Sequence, residues 1–225
     1  LHQLLTRGIG HSRFKQTEIG EIPEEWEVIN LQDVIIDAKS GFASGKRDEN
    51  GIIQFRMNNI SSDGRIVLDS LLKVPIPQNI EDYLLQKNDV LFNNTNSVDL
   101  IGKSAIFRGE LDRVTYSNHI TRIRVDKNKI IPEWVLYQLM KRWQKGYFRL
   151  ICVRHVGQAG IRNNDLASLT MSIPSIIEQE KIAEILSTVD KKIEAETERK
   201  ERLQKIKVGL MNDLLTGKRR VKVEA

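Results

Sequence analysis

Four places in the 225-residue sequence carry residue types at spacings that could do chemistry. The single cysteine, Cys152, precedes His155 in a Cys-x-x-His pair, half of a zinc-site signature. No second pair stands at metal-ligand spacing, so a structural zinc is not expected. Residues 41–47, Gly-Phe-Ala-Ser-Gly-Lys-Arg, echo a phosphate loop, but the glycine separation is wrong and Arg47 stands where a magnesium-binding hydroxyl belongs. A flexible turn with a basic tip is expected there. His119 opens a run of alternating apolar and polar residues and reads as a structural or phosphate-facing strand histidine. No serine, nor Cys152, has an evident base beside it. What remains is charge: between residues 141 and 165, Lys141, Arg142, Lys145, Arg149, Arg154 and Arg162 face the lone acid Asp165. The whole chain carries a net charge of +5, which favours a polyanionic partner.

The elements that must position these groups fall into two textures. Apolar content of 40% and charged content of 29% describe a soluble protein able to bury a core, and the length suits one large domain or a domain plus an extended element. No apolar run approaches the roughly eighteen residues of a membrane span. Nothing reads as a signal peptide, and one cysteine permits no internal disulfide, so a cytoplasmic protein is expected. Up to about residue 174 the chain shows short β-branched segments at 52–56, 65–68, 89–93, 104–107 and 119–125, separated by Gly- and Asn-rich connectors. The last alternates with period two and predicts a strand with one buried face. One helix is expected at 132–143, with Pro132 and Glu133 in its first turn and Trp134, Leu136, Leu139, Met140 and Trp143 along one side. These elements predict a compact mixed α/β domain.

From Glu178 to about Leu215 there is no proline and one glycine, Gly209, among strong helix formers. Ile182, Leu186, Val189 and Ile193 step by four, three and four, the alternation of a coiled-coil seam, and Leu203, Ile206, Leu210 and Leu214 continue it. At ~1.5 Å per residue this rod spans roughly 57 Å. Between its apolar ends, residues 194–202 place Glu196 and Lys200 in the seam, where polar groups weaken pairing but fix register. Two arrangements cover such a stripe: the helix folds back on its own domain, or it pairs with another copy or a near-repeat. Pairing is the better reading, and antiparallel pairing would set the 182–193 end of one helix against the 203–214 end of the other.

At the junction stands Ser-Ile-Pro-Ser-Ile-Ile-Glu-Gln-Glu-Lys-Ile-Ala-Glu-Ile-Leu, residues 172–186, with Glu178 and Glu180 in the first helical turn where the dipole favours anions. This turn and helix start resemble the conserved region of DNA-specificity subunits of type I restriction–modification systems. The lead-in at 17–28, Thr-Glu-Ile-Gly-Glu-Ile-Pro-Glu-Glu-Trp-Glu-Val, is similar to that family's entry into a target-recognition domain, and residues 100–107 and 160–174 match its looser pattern. The resemblance implies an α+β fold: a target-recognition domain at 17–174, then at 175–225 a conserved helix forming an antiparallel coiled coil and ending in a basic tail. It also implies that residues 1–16 are the end of a preceding helix, because Leu-Leu-Thr-Arg-Gly at 4–8 repeats as Leu-Leu-Thr-Gly-Lys at 214–218. Family members hold two recognition domains in tandem, so this chain corresponds to one half: the C-terminal part of a longer protein, or a half-size subunit that dimerises.

The resemblance further implies double-stranded DNA as the target, methyltransferase and restriction subunits as partners, and no catalysis or cofactor in this chain. S-adenosylmethionine, ATP and magnesium would then belong to the partners. In agreement, the Asn-Pro-Pro-Tyr signature of DNA amino-methyltransferases is absent; Asn-Asn-Thr-Asn at 93–96 lacks both prolines. Reading a duplex needs cations for phosphates and forked amides or guanidiniums for base edges. Residues 41–51 offer Lys46 and Arg47, and residues 93–103 offer Asn93, Asn94, Asn96 and Lys103. Residues 153–164 offer Arg154, His155, Gln158, Arg162 and Asn163. For the Asn-rich stretches ordinary turn chemistry is the competing explanation. The paired helices would act as a ruler between two half-sites with an unread spacer. Two other classes share parts of the pattern: a coiled-coil adaptor binding RNA or protein, and a nuclease or methyltransferase with an unrecognised site.

Overall fold

The run at 119–125 becomes the strand Ile120–Val125, and it is central rather than half-exposed. In the computed structural model, which describes residues 1–219, it lies in a four-stranded antiparallel sheet ordered Ile35–Ser40, Ile120–Val125, Val90–Asn93, Ser104–Ile106. Its alternate positions were expected to face solvent. Instead Arg122 is buried, ion-paired to Asp37 and donating to the backbone oxygens of Asp82 and Leu84 at 3.1 and 3.3 Å. Arg124 forks onto buried Asp89 at 2.7 and 2.9 Å. Period two registers polarity, and a polar side chain with a carboxylate partner can satisfy that period inside a core.

A second, three-stranded sheet sets Val114–Tyr116 parallel to Ile52–Phe55, which pairs antiparallel with Leu72–Val74. Phe55, Leu91, Phe107, Tyr116 and Ile120 belong to one buried apolar cluster, so strands of both sheets feed the same core. The expected strand at 65–68 does not form; Ile66 contributes only an isolated bridge to Ile60, with Asn59 accepting from Val67 through its backbone. The expected helix does form, as Pro132–Gln144, and buries Trp134, Leu136, Leu139 and Met140.

Within the first 182 residues, the lead-in and the segment before the long helix are gathered at one place. Glu27–Asn30 pairs antiparallel with Thr170–Ile173, which brings the lead-in beside the junction turn. Trp26 and Trp134 meet edge-on at 5.5 Å, a geometry worth about 0.5–1.5 kcal/mol beyond the area buried. The long helix runs Ile176–Leu215. Ser175 precedes it, its Oγ accepting from Glu178 N at 3.4 Å, the first half of a capping box. The Glu178 carboxylate turns elsewhere: it accepts from Ile9 N at 3.0 Å and Trp26 Nε1 at 3.0 Å, and lies 2.9 Å from His11 Nε2. Gln179, fully buried, accepts from Ile131 N and donates to Lys129 O and Pro174 O. The Glu-Gln of the junction motif is thus a clamp between the helix start and three other segments.

Two compact units result, Leu1–Ile182 and the remainder from Ala183. The first therefore takes in residues 1–16, expected as a preceding helix end or linker: Leu4–Arg7 is one helical turn with Leu5 buried, and Phe14–Thr17 pairs with Gly20–Pro23. It also takes in the first turns of the long helix, eight residues beyond the expected boundary. The basic tail beyond Arg219 lies outside the described residues.

Candidate nucleic-acid interface

The structure joins two of the three stretches singled out in the sequence. Val153–His155 and Gln158–Gly160 form a two-residue-turn hairpin, registered Val153 to Gly160, Arg154 to Ala159 and His155 to Gln158. Thr95–Asn96 adds as a third strand on the Gln158–Gly160 side. Ile161 N donates to Asn94 O at 2.8 Å, extending the join. Gly157 takes a φ of 79°, which a side chain would resist, so the tight turn depends on glycine at that point.

Because residues alternate across a strand, His155 and Gln158 share the face opposite to Ala159. Ala159 is buried and His155 and Gln158 are exposed, so that pair is on the outward face. Arg154 is exposed as well, as are Arg162 and Asn163, which follow directly and lead into the short helix Asn163–Ala167. Among the described residues the side chains of Arg154, His155, Gln158, Arg162 and Asn163 make no hydrogen bond or ion pair. At the turn itself Val156 has a relative exposure of 106%, the highest of any large apolar residue described. Its one signal in the sequence was an apolar β-branched residue standing between Arg154-His155 and a turn glycine.

The asparagines do something else. Asn93, Asn94 and Asn96 are buried, a correction to the expectation that their amides read bases. Asn94 Nδ2 donates to Thr121 Oγ1 at 2.9 Å and to Asn118 O at 3.1 Å; Asn93 Nδ2 donates to Met57 O at 3.3 Å. Asn96 Oδ1 accepts from Ser97 N at 2.8 Å. They brace the strand on which the hairpin rests. Lys103 is corrected likewise: half-buried, it donates to Ile60 O, and burial lowers its pKa from the ordinary lysine value.

Lys46 and Arg47 are exposed, but their loop is tied to the Leu72–Val74 strand, with Asp48 N donating to Lys73 O at 3.2 Å and Lys73 Nζ to Glu49 O at 3.1 Å. Arg47 shares a shallow depression with Asp48, Glu49 and Lys73, a surface of mixed charge. Of the basic run, Arg142 spends its guanidinium on Gln138 and Thr170 O, and Arg149 pairs with Asp99. Burial, then Arg142 and Lys145, push Lys141 down to about 8. Within 141–165 the cations left for a partner are therefore Arg154 and Arg162, in the hairpin and at its exit.

Hairpin, sheets and long helix define a class of architecture: a mixed α+β unit followed by one long helix. Residues 23–205 match the family model for the type I restriction modification DNA specificity domain. The chain belongs to that family. It is 31% identical over 233 residues to the type I restriction enzyme MjaVIII specificity subunit of Methanocaldococcus jannaschii, covering 99% of this chain and 53% of the relative. A second protein of that organism, assigned as the MjaX specificity subunit, is 37% identical over 206 residues, covering 90% and 48%. The fold is similar to the HsdS subunit from Thermoanaerobacter tengcongensis, with a TM-score of 0.59 at 15% identity over 89% of this chain and 47% of that one. A chain solved for the assembly and conformational transition of the type I R-M system gives 0.62 at 16% identity. The chain spans about half the length of the curated relatives it matches.

The expected pairing residues divide into two sets. Ile182 and Leu186 are buried within the chain, a correction to their place in an intermolecular seam. Val189, Ile193, Leu203, Ile206, Leu210 and Leu214 are exposed, from 41% to 59%. No helix among the described residues is long and apolar enough to cross a membrane.

Proposed function

We propose that this chain reads one half of a split double-stranded DNA target and performs no chemistry itself. The observation that carries the reading is the outward hairpin 153–160, which together with Arg162 and Asn163 offers unpaired donors of the kinds that meet phosphates and base edges. Methyltransferase subunits with S-adenosylmethionine, and restriction subunits with ATP and magnesium, supply the reactions. The exposed stripe from Val189 to Leu214 pairs with a matching helix, from a second copy of the chain or from the other half of a tandem subunit. Pairing rests on the same stripe in either case, and antiparallel pairing repeats the unit so that two half-sites are read.

Selection of bound duplexes from a randomised pool tests the reading. A short defined sequence, repeated across an unread spacer when the chain is paired, is the expected result. Preference for single-stranded RNA, no duplex preference, or DNA cut or modified without partners would each sink it.

A further inference from the structure

From the hairpin's geometry we infer that Val156 determines specificity by seating its methyl groups against the C5-methyl of a thymine in the major groove. The inference rests on the duplex-reading function proposed above and deepens it to a named residue and a named feature of the base.

Neither packing nor turn chemistry accounts for this valine. At 106% relative exposure it has lost no surface to the protein, so it contributes nothing to the core. The turn's conformational demand falls on Gly157, with its φ of 79°, and two-residue hairpin turns favour Gly, Asn and Asp over a β-branched side chain. An apolar tip on an otherwise polar hairpin leaves a hydrophobic group in water unless something covers it.

What covers it follows from its neighbours. His155 and Gln158, paired in register, flank the tip on one face, Arg154 stands on the other, and Arg162 follows two residues after the hairpin closes, so polar donors lie on both sides of the apolar point. A protein surface of mixed charge would not match that arrangement; a duplex groove, walled by phosphates on both sides, does. A two-stranded ribbon fits the width of the major groove. Along the base edges there, the apolar feature is the thymine methyl, while the polar features flanking it suit an amide such as Gln158 and a ring donor such as His155. The third strand, Thr95–Asn96, with its buried asparagine, stiffens the base of the ribbon, so the tip meets the groove as a fixed point.

The full chain and the duplex it selects provide the test. Each thymine of the selected half-site is replaced in turn by deoxyuridine, which lacks only the methyl, and affinities are measured for the wild type and for Val156→Ala. Wild type should bind about fourfold more weakly at one position, the factor corresponding to about 0.8 kcal/mol for one methyl-sized group. Val156→Ala should bind the thymine duplex more weakly and show no further loss with deoxyuridine at that position. Its melting temperature should match wild type, since the side chain touches nothing. Four results overturn the inference: a selected half-site without thymine, no position sensitive to deoxyuridine, full sensitivity retained in Val156→Ala, or a sharply bent duplex insensitive to deoxyuridine, which would make the valine a wedge between base steps. Failure to select any duplex is a separate outcome: it removes the duplex-reading function itself, and this inference with it.

Discussion

An asparagine can serve a duplex only if its amide stands in solvent, and here the amides of Asn93, Asn94 and Asn96 are inside the fold. Asn94→Ala removes the side-chain donor to Asn118 O and one of the two partners of Thr121 Oγ1, and an unsatisfied buried polar group costs about 1–3 kcal/mol. Chemical denaturation should show that loss, while the half-site sequence selected by the folded variant stays the same. Arg154 and Arg162 should behave in the opposite way: alanine at either leaves the midpoint of unfolding in place and weakens duplex binding, by about 1–3 kcal/mol for a bidentate contact to a base. Lys103→Met, which removes a lysine already held by Ile60 O, should leave binding unchanged. Identical binding by wild type and both arginine variants would clear the hairpin of its role.

The start of the long helix is held by residues distant in sequence. Gly8 has a φ of 63°, and a Cβ there would lie 2.3 Å from Glu178 Oε1 and 2.8 Å from the Trp26 ring. Gly8→Ala should destabilise the globular unit by about 1–3 kcal/mol in denaturant titrations, because both the backbone conformation and the space oppose it. The same clamp is sensitive to pH. Burial opposes a charge on His11, but hydrogen bonding and attraction from Glu178, and then Glu25, outweigh it and raise its pKa above 6.5. A raised folded pKa means that the stabilisation is complete below the unfolded value and fades as pH rises through the folded one. Thermal unfolding of wild type should therefore lose stability from about pH 6.5 upward, and His11→Gln should flatten that dependence. Parallel curves for the two proteins would remove His11 from the clamp.

At the scale of the whole molecule the unmatched feature is the apolar stripe of the second unit. Ile193→Asp with Ile206→Asp places charges on a face that pairing would bury; sedimentation should show the assembled species dissociating while the globular unit keeps its unfolding midpoint. A monomeric wild type would end the pairing proposal. Inserting or deleting one helical repeat within 194–202 should lengthen or shorten the unread spacer and leave the bases read unaltered. A change in the bases instead would show that the helix does more than set separation.

The sequence alone determined the long helix, the break in texture near Pro174 and the family. Helix propensity, seam period and the Glu-Gln turn are local signals, carried by residues adjacent in the chain. It also marked the hairpin stretch, since cations as dense as those near Arg154 exceed what a turn requires. Only the tertiary structure decided which polar residues remain free. Asn93, Asn94 and Asn96 carry the same amide as Gln158 and Asn163, but theirs are buried and bonded to neighbouring groups, and the Lys103 ammonium is held by Ile60 O. The same holds for Ile182 and Leu186, whose four-three-four spacing is that of a seam although they are buried within the chain, and for Arg122 and Arg124, whose solvent-like alternation ends in buried ion pairs. Residue type sets what a side chain can bond to; which partner it meets is settled by groups distant in sequence, and no local pattern records them.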